Sequence, residues 1–273
     1  MICAFIGPAK TRTSSIYKAA IKLFPENCYS GIKESYFHSL EESYNTYYKS
    51  ILPKRSFLKR HHGEIQKMIS SSSGPYFIVE PSYALSAITN LSQVKDIICI
   101  LTVRDPLKRL ISHYNMDVAL GLSSTDINTE LEDDCKYEQY VNNSKYYVLV
   151  QKWLEHKPKH LVIGDFEDRK LYFSNSIRNN DEILLKIRDI LGKSTEIKTN
   201  EAFVFKFNFI KKVLKSEIYK KYSFYIPKIL KNILKTKKIN KNQNIPENIL
   251  RTIENDYIKY KQTIKINYDS INF

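Results

Sequence analysis

The sequence predicts an α/β fold in which a parallel β-sheet is flanked by helices. Short apolar segments rich in β-branched or aromatic residues alternate along the chain with longer segments in which apolar residues recur every three or four positions. The first pattern is typical of buried strands and the second of amphipathic helices. Strands that alternate with helices favour a parallel sheet covered by helices on both faces.

The same patterns predict the individual elements. Four segments are predicted to be strands of the sheet: Ile2–Ile6, Tyr76–Val79, Ile97–Val103 and residues 160–163. Three segments are predicted to be helices, residues 14–24, 146–154 and 182–191, and we expect the last of them to end at Gly192. Residues 70–75 and 121–134 are polar and are predicted to be loops.

The C-terminal part of the chain differs in composition from the rest. Residues 206–241 are strongly basic with interleaved aromatic and aliphatic residues, and we expect Pro227 to divide them into two helices. We therefore expect a single domain over residues 1–273, with an α/β core over residues 1–192 and a mainly helical, basic part over residues 193–273.

Composition narrows the class of protein. Hydrophobic residues make up 42% of the 273 residues, which is typical of a folded globular chain. A formal net charge of +14 favours contact with nucleotides, anionic glycans or an anionic membrane surface without choosing among them. The four cysteines have neither the spacing of a zinc site nor the density of a disulfide-rich secreted domain.

The sequence also bears on location. We find no basic leader with a cleavage site and no apolar segment close to the roughly 20 residues that a membrane span needs. The chain is therefore predicted to be soluble and cytoplasmic, with a peripheral membrane contact through its basic C-terminal part left open.

The first candidate motif lies between the strand Ile2–Ile6 and the helix that follows it. It consists of Gly7-Pro8-Ala9-Lys10-Thr11-Arg12-Thr13-Ser14-Ser15-Ile16. Backbone N–H groups at a helix start, several hydroxyls and the ammonium of Lys10 suit a phosphate-like anion. An ordinary turn whose serines and threonines cap the helix is the alternative. The segment is not a Walker A loop, because Ala9 stands where that motif requires glycine.

The second candidate motif directly follows the strand Ile97–Val103. It begins at Arg104 and continues to Tyr114 as R-D-P-L-K-R-L-I-S-H-Y. Asp105 suits a helix cap, and Pro106 suits a first helical turn. Arg104 at the strand end, with Arg109 and Ser112 on one helix face, would suit a terminal phosphate. A capped helix with solvated basic residues is the alternative.

Together the two motifs resemble those of sulfotransferases that use 3′-phosphoadenosine 5′-phosphosulfate (PAPS), especially the heparan sulfate N- and 3-O-sulfotransferase branch. The first is similar to the family's 5′-phosphosulfate loop, G-P-x-K-T-G-T-T-x-L, with Arg12 in place of a glycine. The second is similar to its 3′-phosphate signature, R-D-P-x-x-R-x-x-S-x-Y. The resemblance spans residues 2–192, with a weaker similarity over residues 245–268.

The resemblance implies a P-loop-like α/β fold and a reaction that needs no metal. It implies that PAPS is the sulfuryl donor, with Arg104 and Ser112 at its 3′-phosphate. The residues that we expect to bind it are Gly7, Lys10, Thr11, Arg12, Thr13, Ser14, Ser15, Arg104 and Ser112. Lys10 is expected to be catalytic, because its ammonium can stabilise the charge that forms on the leaving oxygen.

Further resemblances concern the acceptor. Residues 33–38, K-E-S-Y-F-H, look like the family's K-E-x-x-[FY]-F segment, in which the glutamate is the proposed base. This implies that Glu34 takes the proton of the attacking hydroxyl or amine, with His38 as an alternative base. Lys33, His38 and Tyr83 are candidate acceptor-binding residues. An exposed Lys33–Glu34 pair and a core position for Tyr83 are the alternatives.

Residues 160–168 look like the family's strand and E-D-L-type turn. Here Asp165, Glu167 and Asp168 are expected to be structural caps, and Trp153 on the preceding helix is expected to be a core residue. These residues bear on the fold rather than on the chemistry.

The preferred function is sulfuryl transfer to a hydroxyl or amine of a carbohydrate-type acceptor. A P-loop nucleotide kinase with a degenerate phosphate loop is one alternative. A nucleic-acid-binding protein that uses residues 206–241 is another, although no recognised nucleic-acid module surrounds that stretch, so we expect no specific nucleic-acid partner.

Overall fold

The fold is seen in a computed structural model of the chain. The structure describes residues 1–31, 55–79, 96–120, 122–155, 160–174, 177, 181–197, 203–205, 235–238 and 244–273.

The centre of the fold is a six-stranded mixed sheet. Its strands, in chain order, are β1 (Ile2–Ile6), β2 (Tyr76–Val79), β3 (Ile97–Val103), β4 (His160–Asp165), β5 (Lys170–Phe173) and β8 (Asp269–Asn272), and they lie side by side in the order β2-β1-β3-β4-β5-β8. Neighbouring strands from β2 to β4 are parallel, whereas β5 is antiparallel to both β4 and β8. The predicted parallel sheet is therefore confirmed, with two antiparallel pairings added at one edge.

The described residues form eight α-helices. They are α1 (Thr13–Leu23), α2 (Arg55–Ser71), α3 (Pro106–Leu120), α4 (Ile127–Leu131), α5 (Asp134–Tyr140), α6 (Tyr146–Glu155), α7 (Asp181–Glu196) and α8 (Glu247–Asn267).

Both faces of the sheet are buried, as the apolar strands predicted. On β1, Cys3 and Phe5 point into a core that includes residues of α1 and α7, whereas Ala4 and Ile6 point into a second core that includes residues of α6 and α8. This alternation follows from the two-residue period of a strand. Trp153 of α6 is fully buried in the second core, which confirms its predicted role. Burial of each large apolar side chain contributes about 1.5–3 kcal/mol.

Three local predictions were wrong. Helix α7 does not end at Gly192 but continues to Glu196, because Leu191 and Ser194 extend its buried stripe and the Ser194 hydroxyl donates to the Leu191 carbonyl at 2.7 Å. The stretch 121–134 is not only loop, since it contains α4, whose first turn is capped by Asp126 through the N–H of Asn128 at 3.1 Å. Helix α2 extends into the predicted loop at residues 70–75 and ends at Ser71.

The basic stretch also contains a strand where we expected a helix. Its described part, β7 (Lys235–Lys238), pairs in antiparallel fashion with β6 (Phe203–Phe205). Backbone pairing with this apolar strand overrides the helical preference of lysine. The remainder of residues 206–241, including Pro227, lies outside the described residues.

The C-terminal segment completes the sheet. Strand β8 pairs with β5, and Tyr260 and Ile264 of α8 are fully buried in the second core. The division of the chain at residue 192 stays a prediction. In the part of the chain that the structure describes, no helix combines the length and apolar character that crossing a bilayer requires.

The topology places the candidate motifs at one edge. Parallel pairing aligns Ile6 of β1 with Leu101 of β3, and Val103 of β3 with Asp165 of β4. The segments that follow these three strands therefore emerge together at the carboxyl edge of the sheet, which is where open α/β sheets bind ligands.

Candidate functional site

The loop after β1, residues 7–12, has a backbone shaped for an anion. Lys10 has a φ of 76° and Arg12 a φ of 67°, so two residues of the loop adopt the left-handed conformation just before α1. Left-handed residues of this kind gather backbone N–H groups into an anion-binding concavity, and the first N–H groups of a helix add further donors. The loop therefore fits a phosphate or phosphosulfate group.

Gly7 allows the loop to lie directly against β3. A Cβ atom at this position would lie 2.2 Å from Thr102 Oγ1 and 2.8 Å from the Thr102 carbonyl oxygen. Thr11 reinforces the contact, since its hydroxyl donates to the Pro8 carbonyl at 2.8 Å and lies 2.9 Å from Thr102 Oγ1. Thr102 was missed by the sequence analysis. The available signal was a lone hydroxyl near the end of an otherwise apolar strand.

The four hydroxyls of the first motif divide into two pairs. Thr11 and Ser15 are buried, and the Ser15 hydroxyl donates to the Ile197 carbonyl at 3.5 Å. Thr13 is half-buried and Ser14 is exposed at the start of α1. Thr11 and Ser15 therefore make hydrogen bonds within the protein, whereas Thr13 and Ser14 are more accessible to solvent.

Arg12 adopts the conformation that the corresponding glycine of the family pattern would permit. A left-handed non-glycine residue costs roughly 1–2 kcal/mol. Its guanidinium lies 5.3 Å from the ring centroid of Phe166, the residue that follows β4. Burial lowers the pKa of this guanidinium, and the neighbouring cation of Arg104 lowers it further. The Arg12 side chain is therefore directed toward the end of β4.

A hydrogen bond joins the second motif to the first. Arg104, the residue after β3, donates from Nη1 to the Lys10 carbonyl oxygen at 3.2 Å, although the two residues are 94 positions apart. The ammonium of Lys10 in turn lies 3.5 Å from Met116 Sδ on α3. Met116 is one helical turn beyond Ser112, so both project from the same face of α3. Lys10, Arg104 and the Ser112 face of α3 therefore lie at one edge of the sheet.

The start of α3 confirms two smaller predictions. Asp105 caps the helix, since its Oδ1 accepts the N–H of Lys108 at 2.7 Å. Pro106 is the first residue of α3, where its missing N–H has no effect on helical hydrogen bonding.

Arg109 supports the fold and not a phosphate, contrary to expectation. It is fully buried, with Nε donating to Ser144 Oγ at 2.9 Å and Nη2 donating to the carbonyl oxygens of Gln139 and Tyr140 at 2.8 and 2.7 Å. Its Nη1 donates to the Ala9 carbonyl at 3.4 Å, and this hydrogen bond joins α3 to the first loop. Helical spacing places Arg109 and Ser112 near each other but does not show which of them is covered by other elements.

A buried polar cluster lies beneath Lys10 on α3. Asp117 forms a 3.2 Å ion pair with Lys136 and accepts a 2.8 Å hydrogen bond from the Tyr140 hydroxyl. Burial raises the pKa of Asp117, which the bonds from Tyr140 and Lys136 partly offset. Burial and the adjacent cation of Arg109 hold the pKa of His113 well below its ordinary value, so this histidine is neutral. The cluster fastens α3 to α5.

The turn between β4 and β5 is fixed by its carboxylates, as predicted. Asp165 Oδ1 accepts the N–H groups of Glu167 and Asp168 at 2.9 and 3.1 Å. Glu167 Oε1 accepts the N–H of Asp105 at 3.1 Å, which ties this turn to the residue next to Arg104.

The predicted base Glu34 and the predicted acceptor-binding residues Lys33, His38 and Tyr83 lie outside the described residues, so their roles stay predictions. Within the described ranges, no group of three His, Cys, Asp or Glu side chains is arranged to hold a metal ion.

Comparison with known proteins addresses the fold. No protein-family model and no curated protein matches the sequence. The crystal structure of a sulfotransferase from Alicyclobacillus acidocaldarius matches over 96% of this chain and 95% of that chain, with a TM-score of 0.50 and 14% sequence identity. The chain has the fold of this sulfotransferase. At this level of identity the match establishes the sulfotransferase fold alone.

Two further solved structures match the chain less closely. They are retinol dehydratase in complex with androsterone and the inactive cofactor PAP, at 11% identity, and retinol dehydratase in a complex with retinol and PAP, at 12% identity. Both have TM-scores of 0.37 and cover 94% of this chain and 79% and 80%, respectively, of those chains.

Proposed function

We propose that this protein is a sulfotransferase that moves a sulfuryl group from PAPS to a hydroxyl or amine of a carbohydrate acceptor. The observation that carries the proposal is the hydrogen bond between Arg104 and the Lys10 carbonyl, because it joins two candidate anion-binding segments at one edge of the sheet. PAPS carries anionic groups at both ends of its adenosine, so a donor of this kind needs two such segments. The fold shared with a sulfotransferase agrees with this assignment.

The residues of the first loop fit the 5′-phosphosulfate end of the donor. The left-handed backbone at Lys10 and Arg12 and the N–H groups at the start of α1 supply donors, and Thr13 and Ser14 supply accessible hydroxyls. Gly7 and Thr11 contribute by holding the loop against β3, and Ser15 contributes by joining the start of α1 to Ile197, the residue after α7. At the other end, Arg104 and Ser112 would bind the 3′-phosphate, since a guanidinium and a hydroxyl suit a terminal phosphate.

The reaction is an in-line displacement at sulfur. The acceptor oxygen or nitrogen forms the new bond to sulfur, the bond from sulfur to the bridging oxygen breaks, and 3′-phosphoadenosine 5′-phosphate (PAP) leaves. Lys10 stabilises the negative charge that develops on that bridging oxygen, and the two anion-binding segments fix the sulfur in line with the acceptor. Glu34 accepts the proton of the acceptor.

The proposed acceptor follows from the family resemblance and from the net charge of the chain. The resemblance to the heparan sulfate branch favours a glycan, and the net charge of +14 favours an anionic one. Lys33, His38 and Tyr83 would contact it.

Calorimetry with PAP, ADP and ATP tests the proposal. The wild-type protein should bind PAP more tightly than ADP or ATP, because only PAP places a phosphate at the 3′ position, where Arg104 and Ser112 would hold it. Sulfuryl transfer from PAPS should also proceed in the presence of a chelator. Equal or tighter binding of ATP, with a magnesium requirement for turnover, would instead support the kinase alternative.

A further inference from the structure

Three arginines from separate segments lie at the carboxyl edge of the sheet. Arg12 belongs to the loop after β1, Arg104 follows β3, and Arg169 belongs to the turn between β4 and β5. The registers Ile6 with Leu101 and Val103 with Asp165 place these three segments next to one another. The sequence motifs account for Arg104, but neither motif contains Arg169.

The Arg12 side chain reaches across this edge toward β4. Its guanidinium lies 5.3 Å from the centroid of the Phe166 ring, and its pKa is lowered by burial first and then by the cations of Arg104 and Arg169, against the opposite effect of Glu167. A side chain that remained over the first loop would not meet the turn after β4. The Arg12 guanidinium is therefore placed between the first loop and the segment that carries Arg169.

The turn that carries Arg169 is held rigidly. Asp165 accepts two N–H groups of the turn, and Glu167 accepts the N–H of Asp105, the neighbour of Arg104. Arg169 itself has a left-handed φ of 52°, and its carbonyl oxygen accepts the N–H of Phe273 at 3.0 Å. The backbone of Arg169 is thus fixed relative to the start of α3.

The charges at this edge favour a dianion. The carboxylates that the structure describes at this edge are engaged by other cations: Asp105 and Glu167 lie 3.5 and 3.7 Å from the Lys108 ammonium, and Asp165 and Asp168 lie 2.6 and 2.8 Å from the Lys261 ammonium. Among the residues that the structure describes, none of the three guanidinium groups forms an ion pair with a carboxylate. Adjacent cations repel, and a phosphate monoester near them relieves that repulsion while accepting charge-assisted hydrogen bonds.

We propose that Arg12 and Arg169 join Arg104 in a three-arginine site for the 3′-phosphate of the donor. The inference rests on the proposed function and extends it in two ways. It assigns the Arg12 side chain to the 3′ end of the donor, although its backbone belongs to the 5′ loop, and it adds Arg169 as a binding residue. Phe166 forms the apolar wall against which the Arg12 guanidinium is held.

The test compares two nucleotides that differ only in the 3′-phosphate, PAP and AMP. Arg12→Gly removes the side chain at a φ that glycine adopts without strain, and Arg169→Gln removes the charge while keeping most of the side-chain length. Each change should weaken PAP binding about tenfold more than it weakens AMP binding in calorimetry, which is the loss expected for charge-assisted hydrogen bonds to the 3′-phosphate. The control Arg188→Gln removes an exposed arginine that pairs with Asp189 on α7, and it should change neither affinity.

The outcomes separate this inference from the proposed function. If the wild-type protein shows no preference for PAP over AMP, the proposed function fails and the inference fails with it. If the preference is present but both variants retain it, or if they lose PAP and AMP affinity equally, only the three-arginine site is wrong. Melting curves check that both variants fold. The melting temperature of Arg12→Gly should not fall, because glycine adopts the left-handed conformation without strain. If Arg169→Gln does not fold, the PAP and AMP affinities of Arg12→Gly alone test the three-arginine site.

Discussion

The ammonium of Lys261 on α8 lies 2.6 Å from Oδ2 of Asp165 at the end of β4. Asp165 is fully buried, and the same oxygen accepts a 3.0 Å hydrogen bond from the Tyr260 hydroxyl. Lys261 also lies 2.8 Å from Asp168 Oδ2. The C-terminal helix is thereby fastened to the edge of the sheet where the candidate site lies.

Lys261→Ala should destabilise the protein strongly, because it leaves the buried carboxylate of Asp165 without its cation. The expected loss in the free energy of unfolding is about 3–5 kcal/mol, as is found when one member of a buried pair is removed. Urea denaturation measures it, with Lys259→Ala as the control, since Lys259 is exposed on the same helix. A loss as small as that of the control would show that the ion pair does not hold α8 in place.

Lys10→Ala should abolish turnover, because Lys10 is proposed to stabilise the leaving oxygen in the transition state. Arg104→Ala and Ser112→Ala should mainly weaken binding of PAP, since they are proposed to hold its 3′-phosphate. Single-turnover kinetics and calorimetry separate the two effects. Lys18→Ala, at an exposed position on α1, is the control for loss of a positive charge. Turnover by Lys10→Ala at the wild-type rate would contradict the mechanism.

Glu34→Gln should retain PAP affinity and lose sulfuryl transfer, because an amide cannot accept the acceptor's proton. A rate of transfer equal to that of the wild type would remove Glu34 as the base. In that case the same measurement on His38→Ala would test the alternative base.

Arg109→Ala should act on stability, unlike Arg104→Ala. Its loss removes one hydrogen bond from a charged donor at each of the buried carbonyl groups of Gln139 and Tyr140, at about 1.5–3 kcal/mol for each bond. Chemical denaturation of the two variants side by side checks this difference. An Arg109→Ala protein with wild-type stability and weakened PAP binding would show that Arg109 contacts the donor after all.

The contribution of Asp256 on α8 to the free energy of unfolding should fall as pH rises. Asp256 caps α6 by accepting the N–H of Tyr147 at 2.9 Å, and burial raises its pKa above the ordinary value. A raised carboxyl pKa favours the protonated form in the folded state, so its contribution is fully present below the unfolded pKa and is lost as pH rises through the folded pKa. The free energy of unfolding, measured for both proteins from pH 3 to pH 7, should therefore fall more with rising pH for the wild type than for Asp256→Asn. Asp256→Ala, which also loses the cap, should be less stable than Asp256→Asn by about 1 kcal/mol.

The four core strands could be predicted from the sequence because each is a short apolar run bounded by polar residues or turn formers. The end of α7 could not, because the glycine at position 192 lies within the helix and the buried residue beyond it that continues the stripe is a serine, Ser194, rather than an apolar residue. The loop after β1 was predicted to be an anion site from its position between strand and helix, and this stays a prediction. Which hydroxyls of the first motif are buried depends on contacts with Thr102 and Ile197, and both of these residues are far from the motif in the sequence.

Three arginines show most clearly what could not be predicted from the sequence. Arg104, Arg109 and Arg169 are chemically identical in the sequence, yet one lies at the strand end, one is fully buried and one is exposed on a turn. Their roles depend on what tertiary packing places around each guanidinium. Spacing along a single helix or turn does not contain that information.

The close approach of Gly7 to Thr102 makes the choice of residue at one position depend sterically on the other. A single methyl group at position 7 would push the first loop away from its neighbouring strand, and a larger residue at position 102 would do the same from the other side. The two positions must therefore be changed together in any redesign of the first loop, whereas the surrounding residues can be varied one at a time.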